Sequence, residues 1–205
     1  MRGYILNVKK HRDEDLIASV LTADRLLTLY RFYGARHSPL QLGYKIDFTT
    51  ENDPFFMPRL RGVSHLGYEW LFDHNKMRHW QRFIQLLHKH LSGIEEIDEF
   101  YFDLLNRAAE TLNTRSVKRV LSESFCALLS YEGRLQNSFI CAVCEKKIDD
   151  RAISLLRNFA PSHIDCGGNY NFDRKSIGRL FESYETIYFN DDEVEKLWRI
   201  IENGI

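Results

Sequence analysis

The sequence has few of the features that mark membrane proteins or secreted disulfide scaffolds. Among 205 residues there are only 4 cysteines and 4 prolines, and so few cysteines do not build a disulfide framework in a chain of this length. No apolar run approaches the ~20 residues that span a bilayer. The opening MRGYILNVKKHRDEDL becomes charged too early for a secretory signal. We therefore expect a cytoplasmic protein with no membrane partner.

Recognisable catalytic motifs are also missing from the sequence. We find no Walker loop, no Gly-x-Gly-x-x-Gly after a strand, no Gly-x-Ser-x-Gly elbow and no His-Glu-x-x-His. His88 and His90 would point about 200° apart on a helix, which is poor geometry for a shared metal. We expect a protein that is not an enzyme.

Charge is unevenly distributed along a chain whose net charge is −1. Residues 1–91 carry 14 Lys/Arg and 9 Asp/Glu, whereas residues 92–205 carry 14 and 20, and 7 of the 8 histidines lie in the first part. A basic segment is typical of a module that meets a polyanion such as nucleic acid. Ordinary surface variation also explains an imbalance of this size.

Short alternating segments fill the first 66 residues. GYILNVKK predicts one strand, and LIASVLTADRLLTLYRFYGAR predicts two strands around a turn at residues 22–25. LGYKIDFTTEND and FFMPRLRGVSHLGY predict the remaining strands. Five strands at this spacing fit an oligonucleotide-binding (OB) fold barrel. Within LYRFYGARH we expect Tyr30 and Phe32 to face the core and Arg31 to face solvent.

The pattern then changes to apolar residues at steps of three and four. It predicts helices over residues 73–93, 95–112 and 114–131, the last capped by Thr114, and two more near the C-terminus, the second capped by Asn190. The predicted fold class is α+β, an N-terminal OB-fold β-barrel followed by an α-helical bundle. We place the barrel at residues 1–70 and the helical domain at 71–205, with a zinc knuckle inserted at 139–170.

The strongest motif is the pair Cys-x2-Cys and His-x2-Cys within CAVCEKKIDDRAISLLRNFAPSHIDC. Two x2 pairs separated by a gap of this length are typical of a structural zinc site with four ligands. A closed four-ligand site leaves no position for a reacting water, which argues against metal catalysis. We predict one structural Zn²⁺ per chain, held by Cys141, Cys144, His163 and Cys166.

Two other interpretations of this segment stay open at this point. A redox pair would need a βαβ context, whereas Cys141 follows a helical stretch. Alternatively, the three cysteines are ordinary small core residues. The fourth cysteine, Cys126, lies on the apolar face of a predicted helix and is expected to be a packing residue.

Three short motifs of the N-terminal part are Asp13-Glu14-Asp15, Leu21-Thr22 before a turn, and Gly34-Ala35-Arg36-His37-Ser38 after a strand. Together they resemble the family of the bacterial recombination mediator RecO. The order of a β-rich part, several helices and then a cysteine knuckle is also similar. The chain is shorter than most members, and a histidine would stand among the zinc ligands, so it looks like a short, divergent member.

The resemblance implies a nucleoid-associated protein of recombinational DNA repair. Such a mediator binds single- and double-stranded DNA, anneals complementary strands, and acts with RecR and the single-strand-binding protein to help load RecA. Basic residues beside aromatic ones are compatible with DNA binding through backbone charge and base stacking. The predicted DNA-binding residues are Lys9, Lys10, Arg31, Arg36, His37, Lys45, Arg59 and Arg61.

The predicted partner-binding surface lies in TRSVKRV, where Arg115, Lys118 and Arg119 flank an apolar helix face. Arg115 and Arg119 would form an i,i+4 pair that receives the acidic tail of the single-strand-binding protein. An ordinary solvated helix face explains the same pattern. The alternative function for the whole chain is a non-enzymatic protein-interaction adaptor with a zinc-stabilised helical domain that does not bind DNA.

Overall fold

The computed structural model describes residues 1–34, 36, 40–94 and 96–205. The predicted site residue His37 lies outside the described residues. The chain divides into two compact units, Met1–Asn113 and Thr114–Ile205. The strands predicted for the first 66 residues all lie in the first unit.

Five strands of the first unit form a closed barrel. They are β1 (Arg2–Lys10), β2 (Leu16–Leu21), β3 (Leu26–Arg31), β4 (Lys45–Asp53) and β5 (Phe56–Leu66). Their order around the barrel is β1-β2-β3-β5-β4, with antiparallel pairs except for the parallel contact between β3 and β5. This is the OB-like architecture that the strand pattern predicts.

The barrel interior decides which side chains of β3 face outward. Leu29 is fully buried beside Ile5, Val20 and Phe48, and side chains alternate along a strand. Tyr30 is therefore on the outer face, and Phe32 is 42% exposed just beyond the strand. The prediction that Tyr30 and Phe32 face the core is wrong because the register of β3 is set by Leu29, whereas Arg31 is half-buried and lines a surface depression.

Among its described residues, the first unit has a short 3-10 helix at Glu69–Phe72 and two α-helices. Helix α1 (His74–His90) begins at Asp73, whose carboxylate accepts hydrogen bonds from the next backbone N–H groups. Helix α2 (Glu99–Thr111) begins similarly at Asp98. The indole N–H of Trp80 on α1 donates to the carbonyl of Gly43 at 2.8 Å. These contacts extend the compact unit beyond residue 70, so the predicted domain boundary there describes the end of the barrel alone.

The second unit contains three helices and a small sheet. The helices are α3 (Val117–Tyr131), α4 (Arg174–Ser183) and α5 (Asp191–Glu202). The prediction that Thr114 caps α3 is wrong, since Ser116 occupies that position. Asn190 caps α5 as predicted, and a reciprocal hydrogen bond from its backbone N–H to Glu193 completes a capping box.

The sheet in the second unit was not predicted. Strands β6 (Ala152–Leu155), β7 (Pro161–Ser162) and β8 (Asn171–Asp173) are antiparallel, in the order β7-β6-β8. Strands of two to four residues carry too short a pattern for periodicity to detect. Strands β6 and β7 lie within the cysteine segment, between its two ligand pairs, and β8 follows the segment.

The two units differ little in net charge, unlike the two parts of the sequence divided at residue 91. Residues 1–113 carry 15 Lys/Arg and 15 Asp/Glu, and residues 114–205 carry 13 and 14. The acidic residues of the segment that leads into and forms α2 balance the basic residues of the barrel. Any attraction for a polyanion must therefore come from a local patch.

Among the described residues, none of the helices has the length and apolar character needed to cross a bilayer.

Candidate functional site

The four predicted metal ligands converge in the second unit. The ligand atoms of Cys141, Cys144, His163 and Cys166 all lie within 4.8 Å of one another. Cys141 is fully buried, and the other three are half-buried. The cluster could hold one metal ion.

Backbone turns bring the two cysteines of the first pair together. The N–H of Glu145 donates to the carbonyl of Cys141 at 2.9 Å, and the N–H of Cys141 donates to the carbonyl of Lys146 at 2.8 Å. Glu145 adopts a left-handed φ of 60°, the conformation that glycine adopts most readily. The first knuckle thus closes without a glycine by placing Glu145 in a conformation that costs about 1–2 kcal/mol.

The second pair is shaped by β7 and by two glycines. His163 follows β7 directly, and the N–H of Cys166 donates to the carbonyl of His163 at 3.1 Å. Gly167 follows Cys166 with a φ of 116°. A Cβ on Gly168 would lie 1.6 Å from the Oγ atom of Ser154 on β6. Only glycine fits there, so this position anchors the second knuckle to the sheet.

Two distances from the imidazole to the sulfurs are close to those of a tetrahedral ion. The Nδ1 atom of His163 lies 3.4 Å from the Sγ atom of Cys144 and 3.8 Å from that of Cys166. Metal–ligand bonds of about 2.3 Å to sulfur and about 2.0 Å to nitrogen give tetrahedral edges of about 3.5 to 3.8 Å. The other ring nitrogen, Nε2, lies 3.3 Å from the carbonyl oxygen of Lys147. That contact orients the ring and fixes Nδ1 as the ligand atom.

The protein environment already favours a thiolate at the buried position. Burial disfavours the charged form of Cys141. Hydrogen bonds from the backbone N–H groups of Cys144, His163 and Val143 together outweigh burial and lower the pKa of Cys141 to about 6. Metal ions bind thiolates rather than thiols. These backbone N–H groups therefore favour the form of Cys141 that can bind a metal ion.

Cys126 is separate from this cluster, as predicted. It is fully buried on α3, and its thiol lies 3.5 Å from the carbonyl of Leu180. Burial raises the pKa of Cys126 to about 12. It is therefore a neutral packing residue.

In the first unit, a row of paired residues crosses the outer face of the barrel. Lys9 pairs with Ile17, Ile17 with Tyr30, Tyr30 with Arg59, and Arg59 with Glu51. Residues directly opposite one another share one face of a sheet. The row places basic and aromatic side chains side by side on the outer surface and ends at Glu51 on β4.

The aromatic residues of this face contact one another and an arginine. The rings of Tyr30 and Phe32 meet edge to face with centroids 4.8 Å apart. The guanidinium of Arg59 lies 5.1 Å from the centroid of Phe32. Asp15 accepts hydrogen bonds from the Tyr30 hydroxyl and from the N–H of Tyr33. These contacts hold the aromatic rings in place at the surface.

A depression beside Phe32 is lined by two arginines. Arg31, Arg61, Phe32, Tyr33, Leu60 and Gly62 enclose about 490 Å³. Burial and the nearby Arg61 both lower the pKa of Arg31. Arg31 has no ion-pair partner within the described part of the chain. Two neighbouring guanidinium groups, one of them unpaired, form a place where an anion would be stabilised.

Glu51 is the acidic residue closest to these cations among the described pairs. Its carboxylate lies 2.9 Å from Arg61 and 3.7 Å from Arg59. All three side chains are at least 30% exposed, so both ion pairs are weak. An incoming phosphate would have to compete with Glu51 for these two arginines.

The comparison with protein families identifies the barrel. Residues 1–71 match the family model described as RecO N terminal. Residues 1–71 are therefore similar to the N-terminal domain of the RecO family, and we refer to them as the RecO N-terminal domain. The match covers the five strands of the barrel and confirms the resemblance to RecO drawn from Gly34-Ala35-Arg36 and the acidic motif. No curated protein matches the chain.

Within the RecO N-terminal domain, the remaining predicted DNA-binding residues differ in their surroundings. Lys9 and Lys10 are exposed at the end of β1. Arg36 forms an ion pair with Glu14. Lys45 is half-buried at the opposite end of β4 from Glu51 and donates to Asn106 at 2.7 Å. The structure brings Arg31, Arg59 and Arg61 together and leaves Lys45 apart from them.

Beyond the RecO N-terminal domain, the three predicted partner-binding residues make contacts inside the second unit. Arg115 forms two hydrogen bonds with Glu123, at 2.7 and 2.8 Å. Lys118 pairs with Glu195. Arg119 donates to the carbonyls of residues 186 and 189 and to Asp191. Arg115 precedes α3, so the prediction of a helical i,i+4 pair with Arg119 is wrong.

The sequence reasoning overlooked the tip of the β4–β5 hairpin of the RecO N-terminal domain. Phe55 is 89% exposed and Phe56 is 67% exposed. Both residues fall in the predicted strand FFMPRLRGVSHLGY, whereas β5 begins at Phe56 and Phe55 lies in the turn. The signal was present in Asp53-Pro54, which predicts a turn and so places the following aromatic residues outside the barrel core.

Proposed function

We propose that the chain is a non-enzymatic, DNA-binding mediator of recombinational DNA repair that acts in the cytoplasm on nucleoid DNA. The RecO N-terminal domain supports a role in DNA repair or recombination. The finer proposal is that the chain binds single- and double-stranded DNA, anneals complementary strands, and helps load RecA together with RecR. Barrels of this architecture bind oligonucleotides through strands 2 and 3 and the neighbouring loops.

The observation that carries the proposal is the depression between Arg31 and Arg61. Its two cations and its place beside Phe32 suit a backbone phosphate next to a stacked base, and Arg31 has no acidic partner among the described residues. Arg59 extends the same surface through its contact with Phe32. Lys9 and Lys10 are proposed to extend it along β1, and Arg36 and His37 along the segment after β3. Lys45 is proposed as a weaker contact, since it is already bonded to Asn106.

Charge reversal at the depression tests this proposal. Arg31→Glu and Arg61→Glu should each weaken binding of a single-stranded oligonucleotide. Each should also reduce the slope of log affinity against log salt by about 0.7, the value for one lost phosphate contact on a single strand. Fluorescence anisotropy over a salt series measures both quantities.

A matched control separates the site from net charge. Arg107→Glu makes the same charge change in the first unit, at an exposed residue on α2 that contacts its own helix. It should leave the slope unchanged. Equal slopes for wild type and both depression variants would refute the placement of DNA at Arg31 and Arg61.

We also propose that the cluster in the second unit holds one structural Zn²⁺ per chain through Cys141, Cys144, His163 and Cys166. Three sulfurs and one nitrogen within 4.8 Å of one another form a donor set that structural zinc prefers. Bound zinc would join the two knuckles and the sheet between them, and it would supply no catalytic water. Elemental analysis should find one zinc per chain in wild type and in Cys126→Ala, and none in Cys144→Ala.

The proposed protein partners are RecR and the acidic tail of the single-strand-binding protein, with RecA reached indirectly. Arg115, Lys118 and Arg119 are the proposed receiver of that tail. Since each of them already pairs with an acidic residue of the same unit, the tail would have to exchange with Glu123, Glu195 or Asp191. Titration of a tail peptide against Lys118→Ala tests this placement, and unchanged affinity would exclude Lys118.

The second candidate function is a protein-interaction adaptor that does not bind DNA. The equal numbers of basic and acidic residues in the first unit favour it, because a strongly basic domain is the usual footprint of nucleic-acid binding. The two functions differ in one simple measurement. An adaptor should not bind single-stranded DNA even at low salt, where backbone attraction is strongest.

A further inference from the structure

The hairpin between β4 and β5 carries the most exposed aromatic pair of the barrel. Phe55 is 89% exposed, Phe56 is 67% exposed and the following Met57 is 40% exposed. Single exposed apolar residues are common on protein surfaces. Three in succession at the tip of a hairpin contribute nothing to the barrel core and favour aggregation, so folding alone does not account for them.

The turn that presents these rings is rigid. Asp53 pairs with Phe56 across the hairpin, which leaves a two-residue connection formed by Pro54 and Phe55. The Asp53 carboxylate accepts a hydrogen bond from the N–H of Phe55 at 2.9 Å. The ring of Pro54 fixes its own φ near −65°. Because the tip is already ordered, a ligand that contacts it loses little conformational entropy on binding.

The tip is continuous with the proposed DNA-binding face. Phe56 begins β5, and Arg59 and Arg61 follow on the same strand. At about 3.3 Å per residue, Phe56 lies about 10 Å along the strand from Arg59. A single strand whose phosphates contact the arginines therefore has its next bases within reach of the tip.

We infer that Phe55 and Phe56 form a base-stacking site for single-stranded nucleic acid. This inference rests on the proposed DNA-binding function and specifies the ligand as unpaired bases. Every base has a π face, so two phenylalanine rings next to cations bind single strands without reading their sequence. Paired bases in a duplex are already stacked on one another, so the site distinguishes single strands from duplex.

The test compares two variants and two oligonucleotides. Phe55→Ala/Phe56→Ala should lose about tenfold or more in affinity for an oligothymidine, while the salt slope stays unchanged because no ion contact is removed. Affinity for an abasic oligonucleotide of the same length should be the same for variant and wild type. Phe55→Tyr/Phe56→Tyr should retain wild-type affinity, since a stacking ring is preserved.

Phe72→Ala is the matched control. Phe72 is 90% exposed in the same unit but outside the barrel strands, so its removal should leave both affinities unchanged. An equal loss on both oligonucleotides, an equal loss in Phe72→Ala, or no loss in the double variant would overturn the inference while DNA binding itself stands. A wild type that binds neither oligonucleotide at low salt would instead refute the proposed function.

The exposed tip could instead contact a second copy of the chain, and sedimentation velocity tests this alternative. A dimer that is lost in Phe55→Ala/Phe56→Ala and kept in Phe72→Ala would assign the tip to self-association and overturn the base-stacking site. A wild type that stays monomeric at the concentrations of the DNA titration supports it.

Discussion

Glu51 is expected to limit the affinity of the barrel for DNA, and Glu51→Gln should raise that affinity. Its carboxylate contacts Arg61 at 2.9 Å and Arg59 at 3.7 Å, so a phosphate must displace two ion pairs to reach both guanidinium groups. Exposed pairs of this kind are worth about 0.2–1 kcal/mol each. Loss of both corresponds to an affinity gain of about twofold to thirtyfold.

The salt dependence of binding distinguishes this mechanism from a general change in charge. If the two arginines become available to phosphates, the slope of log affinity against log salt should steepen by up to about 0.7 for each added contact on a single strand. Anisotropy titrations of a labelled single strand over a salt series give the affinity and the slope together. A small loss of thermal stability is expected, because two weak surface pairs are removed.

Glu195→Gln is the matched control for this experiment. Glu195 also pairs with two cations, Lys118 and Arg199, but it lies in the second unit. Both substitutions remove one negative charge. If Glu51→Gln leaves affinity and slope unchanged, or if Glu195→Gln changes them equally, the reasoning that places phosphates at Arg59 and Arg61 is refuted.

Three further predictions concern acid stability, the second unit and the metal site. Hydrogen bonds from Tyr30 and from a backbone N–H hold the pKa of Asp15 below its ordinary 3.8, so its stabilisation is present above that pH and is lost as the pH falls through the lower folded-state pKa. Asp15→Asn should flatten the acid limb of stability against pH in urea unfolding, and an unchanged limb would contradict this. Arg119→Ala removes charge-assisted hydrogen bonds to two loop carbonyls and should lower the free energy of unfolding by about 2–4 kcal/mol; a loss below about 1 kcal/mol would show that the loop does not depend on it. Glu145→Val places a β-branched residue at a φ of 60° and should weaken metal binding about tenfold in a chelator competition, whereas Glu145→Gly should bind at least as well as wild type.

The organisation of the candidate sites also explains which cations remain available for a ligand. Arg115, Lys118 and Arg119 are bonded inside their own unit, and Lys45 is bonded to Asn106. Arg31 keeps its charge next to Arg61 without an acidic partner among the described residues. A sequence shows that a residue is basic, but its availability depends on acidic groups that the fold brings beside it.

The sequence alone determined the features that depend on neighbours along the chain. Alternation predicted the barrel strands, and steps of three and four predicted α1, α2 and α3. The paired spacing of Cys141-x2-Cys144 and His163-x2-Cys166 predicted the ligand cluster, because each x2 turn converges locally. Asn190 was predicted as a cap because its hydrogen bond closes within one helical turn.

Only the tertiary structure decided the features that depend on residues distant in sequence. Leu29 set which face of β3 is buried and so moved Tyr30 and Phe32 to the surface. The ammonium of Lys45 donates a hydrogen bond to Asn106 on α2, which is 61 positions away in the sequence. The carboxylate of Glu195 on α5 forms an ion pair with Lys118. Alternation along a strand shows that its two faces differ, but it does not show which face is buried. Burial and charge pairing depend on residues from the whole folded chain.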